Sequence, residues 1–348
     1  MRLYFLHIHY LSIYLAYTLF VDIFSMNTNL KVAFVYKSSQ SWIHKNFYCP
    51  NDYNFYLKTL ASHPKLDYTT IPADDSFDIK TLNKFDCLIF YDLASWGAPP
   101  LDGLENINKP KIARAGDCHH VKNGGGDRNK LAQQYDVKHM FFHHPRHYFY
   151  KYFSKNIQYH QIFVGVEPEF YSNLNTENWD KRYKSKILVT GSLYGNAFYN
   201  LRIKCAISPY TYYSDTMQSF ADPDPNKVTD FTKNIGNNFP GFLSNFQAAV
   251  AACTTYVIWK YIEMPAAGCL TFMEANKNNG WDDLGFIDGE TCITIDENNY
   301  NNRLREYQSS AHDPKWKQIA ENGRRFSYTN YNSKIQSDRL VNILYTIS

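Results

Sequence analysis

The chain has 348 residues, of which 44% are hydrophobic and 20% charged, and its formal net charge is +3. That length exceeds most single cores and suits two α/β domains, while the hydrophobic share argues against a disordered chain. The near-balanced charge argues against nucleic-acid binding, which needs a basic stripe. Aromatic residues reach 17%, with 29 Tyr and 24 Phe. They supply either ordinary core or the ring faces and hydroxyls that suit sugars. The seven cysteines, at positions 49, 87, 118, 205, 253, 269 and 292, are odd in number, scattered and without a C-x-x-C pair. This argues against a disulfide framework or a zinc ribbon and for reduced thiols in a cytoplasmic compartment.

Residues 1–25 open with an apolar, aromatic run from Leu3 to Phe24 behind Arg2, about the length of a membrane span. His7, His9 and Asp22 interrupt it, and polar groups are costly in hydrocarbon. The run reads either as a dispensable extension before Met26 or as a signal anchor that would associate residues 3–24 with a membrane. Lys31–Tyr36 predicts a first parallel strand, Asp52–Ser62 a helix, and Leu66–Ile71, Asp86–Asp92, Lys111–Ala115 and Val137–Phe142 further strands. Strands alternating with helical stretches imply a parallel, doubly wound sheet. The pattern pauses at Ile162–Tyr171, and the polar stretch Ser172–Ser185 reads as a linker. Lys186–Ser192 then restarts it with a strand running into a glycine turn. Phe246–Cys253, Cys269–Met273 and Thr291–Asp296 predict strands, Tyr256–Ala267 a helix, and Asn302–Gln308, Pro314–Arg324 and Ser333–Tyr345 amphipathic helices. The expected fold is α/β: two Rossmann-like doubly wound domains, 26–171 and 172–348, facing a central cleft. In such sheets ligands bind beyond the carboxyl ends of the strands.

Three groups of residues stand in such loops. In a helix, Tyr256, Lys260, Glu263 and Ala267 share one face. The carboxylate can accept two hydroxyl hydrogen bonds, as from a ribose, and the ammonium can offset phosphate charge. Gly268 is a helix stop, and the small residues before it allow a ligand to approach. The same spacing also suits an ordinary amphipathic helix with a surface Lys–Glu pair. Gly191 and Ser192 end a strand, where backbone N–H groups can face a diphosphate, and Arg202 can add a bidentate contact or be a plain surface arginine. Asp117, His119 and His120 follow a strand of the first half. They can serve as a base beside an acceptor hydroxyl, or form a self-satisfied loop cluster. Metal binding is a third option, but no second ligand set accompanies them and no metal is predicted. Asn123–Asp127 is glycine-rich but lacks the Lys-Ser/Thr of a P-loop. Phe142–His147 is a second histidine-rich stretch, which reads as an exposed loop or, following a strand, as part of the cleft lining. A Rossmann oxidoreductase is disfavoured because no G-x-G-x-x-G follows a strand.

Several of these stretches together carry a resemblance. Lys260-Tyr-Ile-Glu-Met-Pro-Ala-Ala-Gly268 is similar to the donor-binding K-[YF]-x-E-x-P-A-x-G segment of spore-maturation-type (Cge-like) and related glycosyltransferases of the GT-B fold. Lys186–Arg202 resembles the opening of that family's second domain, and Val164–Phe170 its interdomain G-V-[DE]-P-x-x-F. The resemblance implies a glycosyltransferase that needs no metal and no cofactor. A nucleotide-diphospho-sugar would be co-substrate in the second domain, and the first would present a glycan, protein or small-molecule acceptor. It implies a ribose contact for Glu263 and donor contacts for Gly191, Ser192, Arg202, Thr255, Tyr256, Lys260 and Gly268. It places Asp117, His119 and His120 on the acceptor side. The retaining group's first glutamate is replaced here by Thr255, which motivates an alternative: a catalytically weakened module of the same fold that binds sugar or nucleotide as an interaction protein.

Overall fold

The computed structural model describes residues 29–45, 50–74, 77–94, 98–122, 127–174, 178–194, 196–214 and 236–348. The apolar run at residues 3–24, Cys49 and the glycines at 124–126 lie outside the described residues. Two parallel sheets form two lobes. The first has six strands in the order β2-β1-β3-β4-β5-β6, with β1 Leu30–Tyr36, β2 Leu66–Pro72, β3 Cys87–Phe90, β4 Lys111–Arg114, β5 His139–Phe142 and β6 Gln158–Gln161. The second has five in the order β11-β10-β9-β7-β8, with β7 Ile187–Thr190, β8 Thr211–Ser214, β9 Ala248–Ala251, β10 Leu270–Glu274 and β11 Ile293–Ile295. These are two Rossmann-like sheets, as the sequence predicts. Each has a switch point where the strand order reverses, between β1 and β3 and between β7 and β9.

The central strands are continuous apolar runs buried on both faces. Cys87-Leu-Ile-Phe90, Ile187-Leu-Val-Thr190 and Ala248-Ala-Val-Ala251 are buried at every position, as parallel sheets covered by helices require. The edge strands β6 and β8 are not among the predicted ones. Gln158-Tyr-His-Gln161 buries only Tyr159, and Thr211-Tyr-Tyr-Ser214 only Thr211. A short polar strand at an edge leaves no hydrophobic period to read.

The helices that shape the cleft are α1 (Asn51–Asn54), which continues as a wider turn through Phe55–Thr59, α2 (Pro168–Tyr171), α3 (Asn196–Ala206), α4 (Lys260–Ala266), α5 (Pro314–Tyr331) and α6 (Ser333–Ile347). The chain crosses between lobes at Ile162–Val166 and returns at Asn332. There Val166 N donates to Tyr331 O at 2.9 Å and Ser333 N to Val166 O at 2.9 Å. Helix α6 follows the return and packs on the first sheet, with Leu340, Val341 and Leu344 buried against Val32, Phe34 and Ile89. His63 Nε2 meets Asp338 Oδ1 at 2.9 Å, and Tyr345 Oη donates to Lys65 O at 2.8 Å. Among the described residues no helix is long and apolar enough to cross a membrane.

The two crossings touch at Gly165, where a Cβ would lie 2.3 Å from Tyr331 O. Gly165→Ala is therefore expected to destabilise the protein by about 1–3 kcal/mol, as overpacking against a backbone does. A melting temperature equal to wild type would show that the crossing can yield.

Candidate functional site

The second lobe's cleft edge is built at its switch point. Strand β7 ends at Thr190 and turns through Gly191, whose φ of 101° favours glycine. A Cβ there would lie 3.2 Å from Lys260 Nζ and 3.3 Å from Arg202 Nη1. Three residues chosen from sequence, Gly191, Arg202 and Lys260, thus converge. Arg202 is only 2% exposed. Its Nε and Nη2 donate to Ala252 O at 3.0 and 2.6 Å, and its Nη1 to Ser192 O at 2.9 Å. The guanidinium cross-links the turns after β7 and β9, and stacks 3.9 Å from the centre of the Tyr199 ring. It is not a plain surface arginine. Three of its five N–H groups are satisfied by backbone, which gives it a structural role at the site's base. Ser192 is partly exposed beside it.

Sequence places a helix over 256–267, but α4 begins at Lys260. Tyr256 is therefore not on a helical face with Lys260 and Glu263. Tertiary contacts decide this: Val257 N bonds Asn279 O at 2.8 Å, and the Tyr256 ring packs 4.3 Å from His144 and 5.1 Å from Tyr148 of the first lobe. Thr255 lies in the same loop, partly buried. The far end of α4 closes as sequence predicts, with Cys269 N on Met264 O and Gly268 N on Pro265 O.

Glu263 is buried, and its Oε1 accepts from Asn51 Nδ2 of the first lobe at 2.9 Å. Burial raises its carboxyl above the usual range, while the Lys260 charge and the Asn51 bond pull back. It lines an interlobe cavity of about 30 Å³ with Asn51, Asn54, Glu167 and Phe239. That is room for about one or two waters.

Opposite stands the turn Cys118–His120, which follows β4. Its His119 ring lies 4.7 Å from Phe198 and 6.1 Å from Tyr256, both of the second lobe. Asp117, His119 and His120 each bring a ligand atom within 4.8 Å of the others; a divalent cation would find three donors there. Tyr148 Oη meets His119 Nδ1 at 3.3 Å. Burial lowers the His119 pKa, against the pull of Asp117 and with the help of His120 and Arg128. Tyr199 stacks on Arg202 and packs against the first lobe's apolar cluster.

The histidine-rich stretch after β5 is not an exposed loop: His143 and His144 are buried at 6% and 0% exposure, because β5 delivers them under Tyr256. His144 Nδ1 meets Cys118 Sγ at 3.1 Å, and its Nε2 lies 3.6 Å from Asp117 Oδ1. Other residues at the cleft are not singled out by sequence. Asp52 takes Tyr91 Oη at 2.6 Å and Arg114 Nη2 at 3.2 Å, bracing the first switch point. Asn51 carries no sequence signal, since its partner is 212 positions away. Glu274 does carry one, as a carboxylate closing the apolar strand Leu270-Thr-Phe-Met-Glu274.

Glu274 is 3% exposed. Burial pushes its carboxyl up to about 7, against the pull of Asn276 and Arg202. The folded pKa exceeds the ordinary value of 4.5, so the unfolded chain releases this proton first and the native state loses stability as pH rises through that window. Glu274→Gln carries no titrating group there. Its melting temperature is expected to fall less than wild type's between about pH 5 and about pH 8; equal slopes would deny the shift.

No protein-family model matches the chain, and no curated protein sequence matches it. Solved structures do match. The chain is similar to Anabaena Alr3699/HepE in complex with UDP-glucose, with a TM-score of 0.54 at 10% identity, covering 91% of this chain and 100% of that one. It is similar to sucrose-phosphate synthase (tll1590) from Thermosynechococcus elongatus, with a TM-score of 0.55 at 13% identity, covering 92% and 100%. It is also similar to an alpha-glucosyltransferase in complex with UDP-glucose and DNA containing an abasic site, with a TM-score of 0.53 at 9% identity, covering 91% and 99%. At these identities the likeness is one of fold: two Rossmann-like domains in the GT-B arrangement of glycosyltransferases.

Proposed function

We propose that the chain is a glycosyltransferase that moves a sugar from a nucleotide-diphospho-sugar to an acceptor hydroxyl. The observation that carries this reading is the convergence of Lys260 and Arg202 on Gly191, at a switch point facing the turn with Asp117, His119 and His120. The neighbours in complex with UDP-glucose support it and make a UDP-sugar the first donor to test. The spore-maturation-type likeness of Lys260–Gly268 is the finer form of the same reading.

In this scheme Lys260 and the N–H groups at Gly191 and Ser192 stabilise the departing diphosphate by preorganised charge. Arg202 holds those turns in place and adds its own charge. Glu263 accepts the ribose hydroxyls once Asn51 moves away, so donor binding requires the lobes to part and close again. Closure then excludes water that would hydrolyse the donor. His119, kept neutral near pH 7 by burial, accepts the acceptor hydroxyl's proton. The hydroxyl oxygen bonds the anomeric carbon as that carbon's bond to the diphosphate breaks. No step uses a metal.

Lys260→Ala is expected to lower kcat by about a hundredfold with a UDP-sugar, and Glu263→Ala to weaken donor affinity roughly tenfold in calorimetry. Wild-type turnover and affinity in both variants would remove the donor site from this position. Binding without transfer by the wild-type protein would favour the interaction-module reading instead. Activity is expected to survive EDTA. Its abolition, with rescue by a divalent cation, would assign Asp117, His119 and His120 as ligands.

A further inference from the structure

A second concave site lies outside the cleft. It is a groove of about 540 Å³ at the far end of α4 from Lys260, walled by Trp179, Lys317, Glu321, Arg324, Arg325 and Tyr328. Most of these form one stripe of α5, spaced three or four residues apart. Three cations face a single carboxylate, and that carboxylate is already 3.8 Å from Lys317 Nζ. Arg324 lies 5.6 Å from the centre of the Tyr328 ring and donates to Tyr171 O at 3.1 Å.

Behind the wall sits a further cation. Arg182 is 7% exposed, and its guanidinium is 6.0 Å from the Trp179 ring. Its Nη1 donates to Gly268 O at 2.9 Å and Ala267 O at 3.3 Å. Its Nε and Nη2 meet no hydrogen-bond partner. Among the described residues no carboxylate pairs with it. A buried guanidinium with open donors and no counter-ion is costly, and Arg324 beside it disfavours its charge further. An anion in the groove would relieve both.

We propose that this groove binds a phosphate-bearing sugar, independently of the donor cleft. Lys317, Arg324 and Arg325 hold the phosphate by charge-assisted hydrogen bonds, with Arg182 adding field from behind. The partly exposed Tyr328 ring offers an apolar face to the sugar, with the buried Trp179 forming the groove's floor, and Glu321 accepts from its hydroxyls. The volume is ample for a hexose phosphate and falls within the range of small-molecule sites.

The test is calorimetry on the full chain with mannose 6-phosphate, mannose and inorganic phosphate, in the presence of saturating UDP to block the cleft. Mannose 6-phosphate is expected to bind saturably, inorganic phosphate more weakly, and mannose not measurably. In the double variant Lys317→Gln/Arg325→Gln, whose side chains lie on an exposed helix face, affinity is expected to drop roughly tenfold or more. Circular dichroism confirms its fold. No saturable binding by wild type with or without UDP, binding seen only when UDP is left out, or unchanged affinity in the variant each overturns the proposal. Phosphate binding as tightly as the sugar phosphate overturns its sugar component.

Discussion

The site depends on one buried guanidinium. A charge removed from water destabilises a fold unless its donors meet acceptors, and Arg202 meets them in the carbonyls of Ala252 and Ser192. Those carbonyls belong to the turns after β9 and β7. One side chain therefore fixes both edges of the switch point, and with them the short gap at Gly191 that admits Lys260. Glu274 shares this environment, and burial pushes its carboxyl up to about 7 against the pull of Arg202. The result is a local excess of positive charge at a strand's carboxyl end, where an α/β sheet takes its ligand.

The lobes are joined by more than the chain that crosses between them. Tyr256 leaves the second lobe to pack among His144, Tyr148 and His119 of the first. Asn51 reaches back to Glu263. Helix α6 returns from the second lobe and seals one face of the first sheet. The first and third are apolar and resist separation. The Asn51–Glu263 bond can exchange for a ligand's hydroxyls with no net loss of hydrogen bonding.

Strands with continuous apolar runs are readable because a strand buried on both faces must be apolar throughout; β3, β7 and β9 are such cases. The glycine stop at 268 and the helices at 314 and 333 are readable from their own local chemistry. Edge strands β6 and β8 are not, since one row of polar residues in sheet geometry looks like loop. Tyr256 misleads for a different reason. Its helical spacing to Lys260 is real in sequence, but the packing of its ring against another lobe outweighs a weak local preference.

The sequence by itself determined the α/β class and the two-sheet plan, because both rest on residue type and short-range spacing. Only the tertiary structure decided that Arg202 is a brace against carbonyls, that Glu263 is held by Asn51, and that His143 and His144 lie buried beneath the cleft. Those facts are contacts between residues distant in the chain, and such contacts are created by folding, so no local pattern records them.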